Sequence, residues 1–592
     1  MAHRLSRPLP LLALLAFPLA ATLPAAAQDE SARLAALISK EWEQRLADNP
    51  LAQTYAGRHE ADGRMPDLSL PVLAAQVDVT RGFIRELKAI DRSKLKGQDV
   101  VNYDVFGWQL QSQVEEWEVG QQRFPITSDS GFHTEITRLA DGMRFASVQD
   151  YENYIARIRA LPRFFEQNIE LMRDGIRHGM VLPRISLAGY DVTITTHIVD
   201  QPEKSRFWGP FETFPVGVPE SERPRLQAAA RAAIREAAIP SFEAFRDFLA
   251  KEYLPASRDS VGASEMKTGR EYYEQRVRYF TTLDMTAEQV HQKGLEEVAR
   301  IEAEMKQIIA EVGFKGSFAD FLAFLRTDPR FYAKTPQELM ERAAFLAKKA
   351  DAKLPAFFGR LPRLPYGVEP VPDYLAPVYT SGRYVPAARG SKQAGTYWVN
   401  TYALDKRPLY ALESLTLHEA VPGHHLQGSL AQEMENVPDF RRDLYISAFG
   451  EGWGLYCERL GIEMGFYTDP YSDFGRLTYE MWRAARLVVD TGMHAKGWSR
   501  DQALDYMASH TALSLHEVKT EIDRYIAWPG QALSYKIGEL HIRALRAKAE
   551  KELGPRFDVR IFHDKILENG AVPLPVLSAS IEAWIAAAKT EN

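Results

Sequence analysis

The chain has 592 residues, of which 45% are hydrophobic and 26% charged, with a formal net charge of −7 and one cysteine. A mildly acidic protein of this kind is a poor candidate for nucleic-acid binding, and a single cysteine excludes an intramolecular disulfide. The length exceeds that of a typical domain, so we expect two lobes with large apolar cores.

The first 27 residues have the pattern of a secretory signal peptide. Arg4 and Arg7 precede an apolar stretch around residues 11–19, and three alanines end the segment. We predict cleavage before Gln28 and therefore an exported, periplasmic protein. There is no cysteine near the cleavage site that could carry a lipid, so we expect no lipid anchor. There is also no later run of about 18 apolar residues, so we expect no membrane insertion.

Helical periodicity dominates the mature chain, which predicts a mainly α-helical fold. Residues 226–238, 287–312 and 336–354 place apolar side chains at i, i+3 and i+4, with polar residues on the other side. Thr286 and Thr335 precede two of these segments and are predicted N-caps.

Two connections are rich in helix breakers. Proline, glycine and aromatic residues cluster near residues 182–222 and 355–395. We therefore divide the mature chain into an N-terminal helical region, residues 28–222, and a catalytic helical region, residues 223–592.

A short strand-like run at residues 395–402 follows the second connection. An edge strand at this place could pair with the backbone of a bound peptide and bring Tyr397 into contact with it. A buried structural strand is the alternative.

The most informative segment is residues 417–427, with the sequence LHEAVPGHHLQ. In the usual H-E-x-x-H pattern both histidines bind one zinc ion, and the glutamate beside the first acts on the metal-bound water. His418 and Glu419 fit this pattern, but Pro422 stands at position i+4.

The departure from the pattern requires a break in the helix. On a regular helix, position i+7 lies about 10.5 Å from position i, and Zn–N bonds of about 2.0–2.1 Å exclude ligands that far apart. Pro422 removes an amide donor and Gly423 permits a positive φ, so a break after His418 is encoded. Looping out these two residues makes His424 the second ligand, which we favour. Looping out one more makes it His425.

A polar helix end without metal is the competing interpretation of this segment. His516 and Glu517 form a second His-Glu dipeptide, in which position i+4 is Thr520 and no histidine follows nearby. The dipeptide alone is therefore a weak signal.

A third ligand is expected on a downstream helix over residues 448–460. Glu451 and Glu458 lie on one helix face about 10.5 Å apart, so one ion cannot bind both. We assign Glu451 to the metal and Glu458 to an outer position that orients a histidine. Two solvated carboxylates on an ordinary helix are the alternative, and Cys457 is predicted to be a small buried apolar residue.

Several motifs, in order, resemble those of the bacterial family known as domain of unknown function 885. They are H-E-x-x-P-G-H-H-x-Q from His418, G-E-G-W-x-L-Y-x-E-x-L-G at residues 450–461, and residues 486–494 and 529–538. The resemblance implies a largely helical metallopeptidase-like protein of the gluzincin kind with a deep central cleft, similar to oligopeptidases. It also implies a glutamate ligand on the helix after the His-Glu helix, with a second glutamate seven residues later.

Further site residues depend on the same resemblance. Tyr535 is the candidate donor to the oxyanion of the tetrahedral intermediate, and His494 is a second candidate. His494 could equally be a structural histidine oriented by Asp490. Arg486 could bind a substrate carboxylate or pair with Asp490.

These residues together predict an exported peptidase that acts on short peptides. One zinc ion would be held by His418, His424 and Glu451, with Glu419 as the general base. Zinc is the default metal for these ligands. The alternatives are a non-catalytic helical protein that binds peptide or metal, and a hydrolase of a non-peptide amide. Glu419 favours catalysis, because a structural zinc site has no need of a base.

Overall fold

The computed structural model describes residues 29–128, 130–373, 375–387 and 393–590. The predicted signal peptide and its cleavage site lie outside these residues. Within them the fold is mainly α-helical with one small sheet, which confirms the predicted fold class. None of the described helices is both long and apolar enough to cross a bilayer.

Helices fill most of the described chain. The first group is α1 (Glu30–Asp48), α2 (Pro50–Tyr55), α3 (Leu70–Lys88), α4 (Gln98–Glu118), α5 (Phe132–Glu135), α6 (Val148–Arg159), α7 (Leu161–His178), α8 (Val192–Thr195), α9 (Arg223–Ala233), α10 (Ile239–Phe248) and α11 (Leu254–Ala256). The second is α12 (Gly269–Thr281), α13 (Ala287–Glu311), α14 (Phe318–Thr327), α15 (Pro336–Asp351), α16 (Leu354–Phe357), α17 (Leu412–Glu419), α18 (His424–Gln432) and α19 (Asp439–Asp443). The third is α20 (Ser447–Leu460), α21 (Pro470–Lys496), α22 (Arg500–His510), α23 (Leu515–Ala527), α24 (Ser534–Leu553), α25 (Val559–Leu567) and α26 (Leu574–Thr590).

The two helix starts that were predicted from a capping side chain are confirmed. Thr286 and Thr335 cap α13 and α15, and their hydroxyls accept hydrogen bonds from backbone N–H groups three residues on, at 3.2 and 3.1 Å. These bonds satisfy donors that a helix leaves free in its first turn. The helix predicted over residues 226–238 begins slightly earlier and passes into a π-helical turn at Ile234–Ala238.

The sheet has three strands, β1 (Tyr366–Pro370), β2 (Gly382–Val385) and β3 (Gly395–Val399), in the order β1-β3-β2. β3 is parallel to β1 and antiparallel to β2. The strand predicted before the His-Glu helix is therefore present as β3, but it is the central strand. Both of its edges are already paired, so it cannot take up a substrate backbone, and β2 is the edge strand.

Tyr397 is correspondingly not a substrate-binding residue. Its side chain is fully buried at the centre of β3. The hydroxyl lies 3.3 Å from Oγ1 of Thr416, so Tyr397 fastens the sheet to α17. The prediction failed because the strand pattern does not reveal which strand of a sheet lies at the edge.

Three apolar cores hold the helices together. The first joins α1, α3 and α4 to α18, α20, α24, α25 and α26, and the second joins α13, α14 and α15 to α21, α22, α23 and β3. The third is formed almost entirely within residues 126–254. The predicted boundary between residues 222 and 223 falls inside the third core, and the first core joins the two ends of the chain.

The His-Glu helix α17 lies where the first two cores meet. Leu412 and Leu415 pack into the second core, whereas Leu417 and Val421 pack into the first. The C-terminal end of α17, which carries His418, is thereby fixed between α20 and the sheet.

Helices α20 and α24 approach each other backbone to backbone. A Cβ added to Gly452 would lie 2.6 Å from Cα of Gly538, and one added to Gly538 would lie 2.0 Å from the carbonyl oxygen of Ala448. Glycine costs a helix about 1 kcal/mol relative to alanine, and here the close contact requires it. This contact sets the distance between Glu451 on α20 and Tyr535 on α24.

Candidate metal centre

The two histidine helices are separated by the predicted break. Helix α17 ends at Glu419, α18 begins at His424, and the Val421–Pro422 peptide is cis. The indole N–H of Trp453 donates to the carbonyl oxygen of Pro422 at 2.9 Å and so holds the break against α20.

Gly423 is needed at the break for a different reason from the predicted one. Its φ is −74°, so no left-handed conformation is involved. A Cβ at this position would lie 1.9 Å from the carbonyl oxygen of His418. The break folds the chain back so tightly on the end of α17 that only glycine fits.

The fold brings His418, His424 and Glu451 together, and these three residues are called the group below. One ligand atom from each lies within 4.8 Å of the other two. Nε2 of His418 and Nε2 of His424 are each 3.4 Å from Oε2 of Glu451. Atoms bound to a tetrahedral zinc ion at about 2.0–2.1 Å are about 3.3–3.4 Å apart, so both distances suit a shared ion.

His418 is held from behind by Glu458. Nδ1 of His418 lies 2.8 Å from Oε1 of Glu458, and Arg483 approaches the same oxygen at 3.4 Å. A proton on Nδ1 leaves the Nε2 lone pair facing Glu451, an arrangement typical of metal-binding histidines. Gly454 makes room for the ring, because a Cβ there would lie 2.6 Å from Cε1 of His418.

The group carries an excess of negative charge that suits a cation. Burial lowers the pKa of His418, but Glu451 and Glu458, with Glu419 nearby, outweigh burial and raise that pKa to about 9. Burial raises the pKa of Glu451, and His418 and His424 outweigh it and hold the pKa well below its usual value. Among the described residues, Oε2 of Glu458 is buried without a hydrogen-bond partner. The residues therefore fit a divalent metal ion.

The group is closed on one side and open on the other. The side chain of His418 is only 3% exposed, whereas those of His424 and Glu451 are 16% and 14% exposed. A fourth ligand, such as water or substrate, would approach from the side of His424 and Glu451.

Glu419 is fixed by the edge strand rather than by the ligands. The backbone N–H of Tyr384 in β2 donates to Oε2 of Glu419 at 2.8 Å. Glu419 directly follows His418 in the chain, and its negative charge contributes to the raised pKa of His418.

His425 is turned away from the group. The Tyr384 hydroxyl donates to its Nδ1 at 3.0 Å, and its Nε2 donates to the carbonyl oxygen of Leu364 at 3.1 Å. Burial lowers the pKa of His425 to about 4. Both ring nitrogens are thus engaged, and the alternative in which His425 is the second ligand is excluded by this geometry.

Two tyrosines are candidate donors near the metal-binding residues, and one of them contacts a ligand directly. The Tyr445 hydroxyl donates to Oε1 of Glu451 at 2.9 Å, and the residue is 57% exposed. Desolvation and Glu451 raise the pKa of Tyr445, and Tyr535 adds to the rise. Tyr535 is half-buried in the first turn of α24, with the guanidinium carbon of Arg483 5.9 Å from its ring centre.

Arg486 does not have either of its predicted partners. It is buried, its Nη2 donates to Glu521 at 2.8 Å, and its Nε donates to the Tyr525 hydroxyl at 2.6 Å. Its guanidinium also lies 4.2 Å from the ring centre of Tyr535. Arg486 therefore supports the tyrosine and is not exposed to a substrate carboxylate.

His494 is a structural histidine and not a catalytic donor. The N–H of Ala263 donates to its Nδ1, and its Nε2 donates to the carbonyl oxygen of Tyr525, both at 3.0 Å. Burial lowers its pKa to about 3. Asp490 instead accepts hydrogen bonds from the Tyr273 hydroxyl and the N–H of Gly530, so the predicted Asp-His pair is not formed.

The sequence interpretation missed Tyr384, Tyr445 and the role of Gly454. Tyr384 acts partly through its backbone, which no side-chain pattern reveals. Tyr445 also carries no sequence signal of its own; the structure shows that Gly450 makes room for it, since a Cβ there would lie 2.6 Å from the Tyr445 ring.

Comparisons with known proteins agree with the fold. The sequence model of a family described as "Bacterial protein of unknown function (DUF885)" matches residues 50–581. A protein from Colwellia psychrerythraea, described as a candidate lipoprotein, has a crystal structure that is similar with a TM-score of 0.87 and 27% identity, over 94% of this chain and 100% of that one. A candidate lipoprotein of unknown function from Shewanella oneidensis is similar in fold, with a TM-score of 0.65 and 18% identity, over 93% and 99%. No curated protein matches the chain.

Proposed function

The chain belongs to the DUF885 family of bacterial proteins of unknown function, and we propose that it is an exported zinc-dependent peptidase acting on short peptides. The observation that carries this proposal is the convergence of His418, His424 and Glu451, with Glu419 adjacent in sequence and held at the edge of the same group.

The donor set supports a catalytic rather than a structural metal. Structural zinc sites are commonly closed by four protein ligands, often thiolates, whereas catalytic sites have three and an open position. The single cysteine, Cys457, is buried, and burial raises the pKa of its thiol well above the usual value. Two imidazoles, one carboxylate and an exposed side match the catalytic type.

The chain supplies the groups that a hydrolysis needs around such an ion. When bound, zinc lowers the pKa of a water molecule and polarises the scissile carbonyl. Glu419 would accept the proton of the attacking water and return it to the leaving amine. The hydrogen bond from the backbone N–H of Tyr384 keeps this carboxylate in place.

Tyr535 and Tyr445 are the proposed donors to the developing oxyanion. Both are near the open side of the group, and a neutral hydroxyl aimed at the new negative charge stabilises the transition state more than the ground state. Arg486 packs against the ring of Tyr535 and restricts its motion. A loss of one such donor typically costs about 100–1000-fold in rate.

Export is proposed from the basic and apolar N-terminal pattern. The similar structure from Colwellia psychrerythraea comes from a protein described as a candidate lipoprotein, which is in keeping with an exported protein. The periplasm and a soluble form without a lipid anchor remain part of the proposal.

The test is digestion of a mixed short-peptide library by zinc-loaded wild type, Glu419→Gln and Glu435→Gln, with the products identified by mass spectrometry. Glu435 is exposed and gives the same change of charge outside the group. We expect cleavage by wild type and Glu435→Gln, and a loss of about 100–10,000-fold in Glu419→Gln. Equal cleavage by all three proteins contradicts the role of Glu419. No cleavage by a protein that binds zinc leaves a non-peptide amide or a binding role as the function.

A further inference from the structure

One arginine near the candidate metal centre has no ion pair among the described residues. Arg383, in the edge strand β2, is exposed, and among the described residues no carboxylate lies within ion-pair distance of it. The ring of Tyr379 lies close to it, with its centre 5.9 Å from the guanidinium carbon.

The strand geometry gives Arg383 a defined place. Side chains alternate between the two faces of a strand, and the neighbouring Tyr384 points towards His425 on α18. Arg383 therefore lies on the other face, where its partner in β3 is Trp398. The rings of Trp398 and Tyr379 are 6.0 Å apart and nearly perpendicular, so the cation has two half-buried aromatic residues beside it.

Nearby acidic groups influence the pKa of Arg383. Desolvation lowers the pKa of Arg383, but Tyr379, Glu419, Tyr535 and Glu451 outweigh it and leave the pKa above its usual value. The backbone N–H of Tyr384, the next residue along β2, donates to Oε2 of Glu419 at 2.8 Å, so Arg383 adjoins in sequence the residue that holds the proposed base.

The other arginines close to the group are already neutralised. Arg483 lies 3.4 Å from Glu458, and Arg486 lies 2.8 Å from Glu521. Both are buried, so neither can reach a ligand on the open side. Arg383 differs from them in exposure and in the lack of a carboxylate partner among the described residues.

We propose that Arg383 binds a carboxylate of the peptide substrate and so determines which peptides are cleaved, an inference that rests on the proposed peptidase function. A guanidinium presents a planar set of donors that matches a carboxylate in two parallel hydrogen bonds. Partial desolvation strengthens such a pair. The carboxylate is either the free C-terminus of the peptide or an acidic side chain.

The test measures peptide binding in the zinc-loaded Glu419→Gln protein, where cleavage does not interfere. The panel is one short peptide with a free C-terminus, its C-terminal amide, and versions of both with a single internal aspartate or asparagine. Four proteins are compared: the Glu419→Gln parent, and the same protein with Arg383→Gln, Arg383→Lys or Arg360→Gln added. Arg360 is exposed and gives the same change of charge elsewhere.

We expect Arg383→Gln to weaken binding of carboxylate-bearing peptides by about 10–100-fold. The loss should vanish for the amidated peptides if the C-terminus is bound, or for the asparagine peptides if a side chain is bound. Arg383→Lys should restore part of the affinity, and Arg360→Gln should bind like the parent. Equal weakening of every peptide, or no weakening, overturns the role of Arg383.

Cleavage of the same panel by wild type and by the single variant Arg383→Gln separates this inference from the proposed function. Cleavage without any dependence on Arg383 and a carboxylate overturns the inference alone. If no peptide is cleaved, the proposed function fails, and carboxylate-dependent binding through Arg383 would still support the inference, whereas its absence would overturn it.

Discussion

The chain contains two His-Glu dipeptides, and their surroundings differ in every respect that matters for metal binding. His418 and Glu419 end helix α17, with Glu451 and Glu458 of α20 against the histidine ring. His516 and Glu517 lie in the first turn of α23. His516 is exposed and has no carboxylate partner among the described residues, and Glu517 is buried.

The second dipeptide has a structural use instead. Glu517 accepts a hydrogen bond from the Ser381 hydroxyl at 3.1 Å, just before β2 begins. The difference shows that the dipeptide by itself sets no function. What makes the first one a candidate centre is the break after it, which returns His424 to the same side, and the helix α20 that faces it.

The largest expected effect is a loss of metal from the first dipeptide only. His418→Ala should lose zinc, with an affinity more than about 100-fold lower, because one ligand and its bond to Glu458 disappear. His516→Ala should retain the wild-type zinc content. Elemental analysis after dialysis against zinc measures both. Equal zinc content in all three proteins would break the distinction between the two dipeptides.

His424 and His425 are adjacent in the chain, and we propose that only His424 binds the metal. His424→Ala should lose zinc with little effect on folding, since its side chain is partly exposed. His425→Ala should keep zinc and lose about 1–3 kcal/mol of stability, because the buried Tyr384 hydroxyl and the Leu364 carbonyl lose their partner. Zinc content and denaturant unfolding measure the two effects, and the reverse pattern would make His425 the ligand.

Glu458→Gln tests the carboxylate that pairs with His418, a partner that His516 does not have among the described residues. The amide oxygen can still accept from Nδ1 of His418, but the negative charge is lost. We expect zinc affinity to fall by about 10–100-fold, measured by competition with a chelator. Glu463→Gln, an exposed change of the same charge after α20, should behave as wild type. An unchanged affinity in Glu458→Gln would show that the pair only packs.

The smallest effect is expected at Glu517, and it concerns stability. Burial raises the pKa of Glu517, with Arg407 opposing. Its contribution to stability is therefore fully present below its unfolded pKa of about 4.3 and is lost as the pH rises through the folded value. As the pH rises from 4 to 8 at constant zinc content, the melting temperature of Glu517→Gln should increase relative to that of wild type. A constant or opposite difference would contradict the raised pKa.

Local signals in the sequence predicted the helical class, the capped starts of α13 and α15, and the break at Pro422. Each depends on residues close in the chain. The proximity of His418, His424 and Glu451 followed from ligand chemistry and a resemblance. The errors concern long-range packing: β3 is central because β2 returns beside it, and Arg486 and His494 are occupied by Glu521 and Tyr525 on α23. No local pattern carries that information.

The claim at the centre of this account is that His418, His424 and Glu451 share one metal ion. The most direct measurement is an anomalous difference map, at the zinc absorption edge, from crystals of the zinc-loaded protein. We expect one strong peak about 2.0–2.2 Å from Nε2 of both histidines and from a carboxylate oxygen of Glu451. A peak bound by other residues, or none at this group, would contradict the claim.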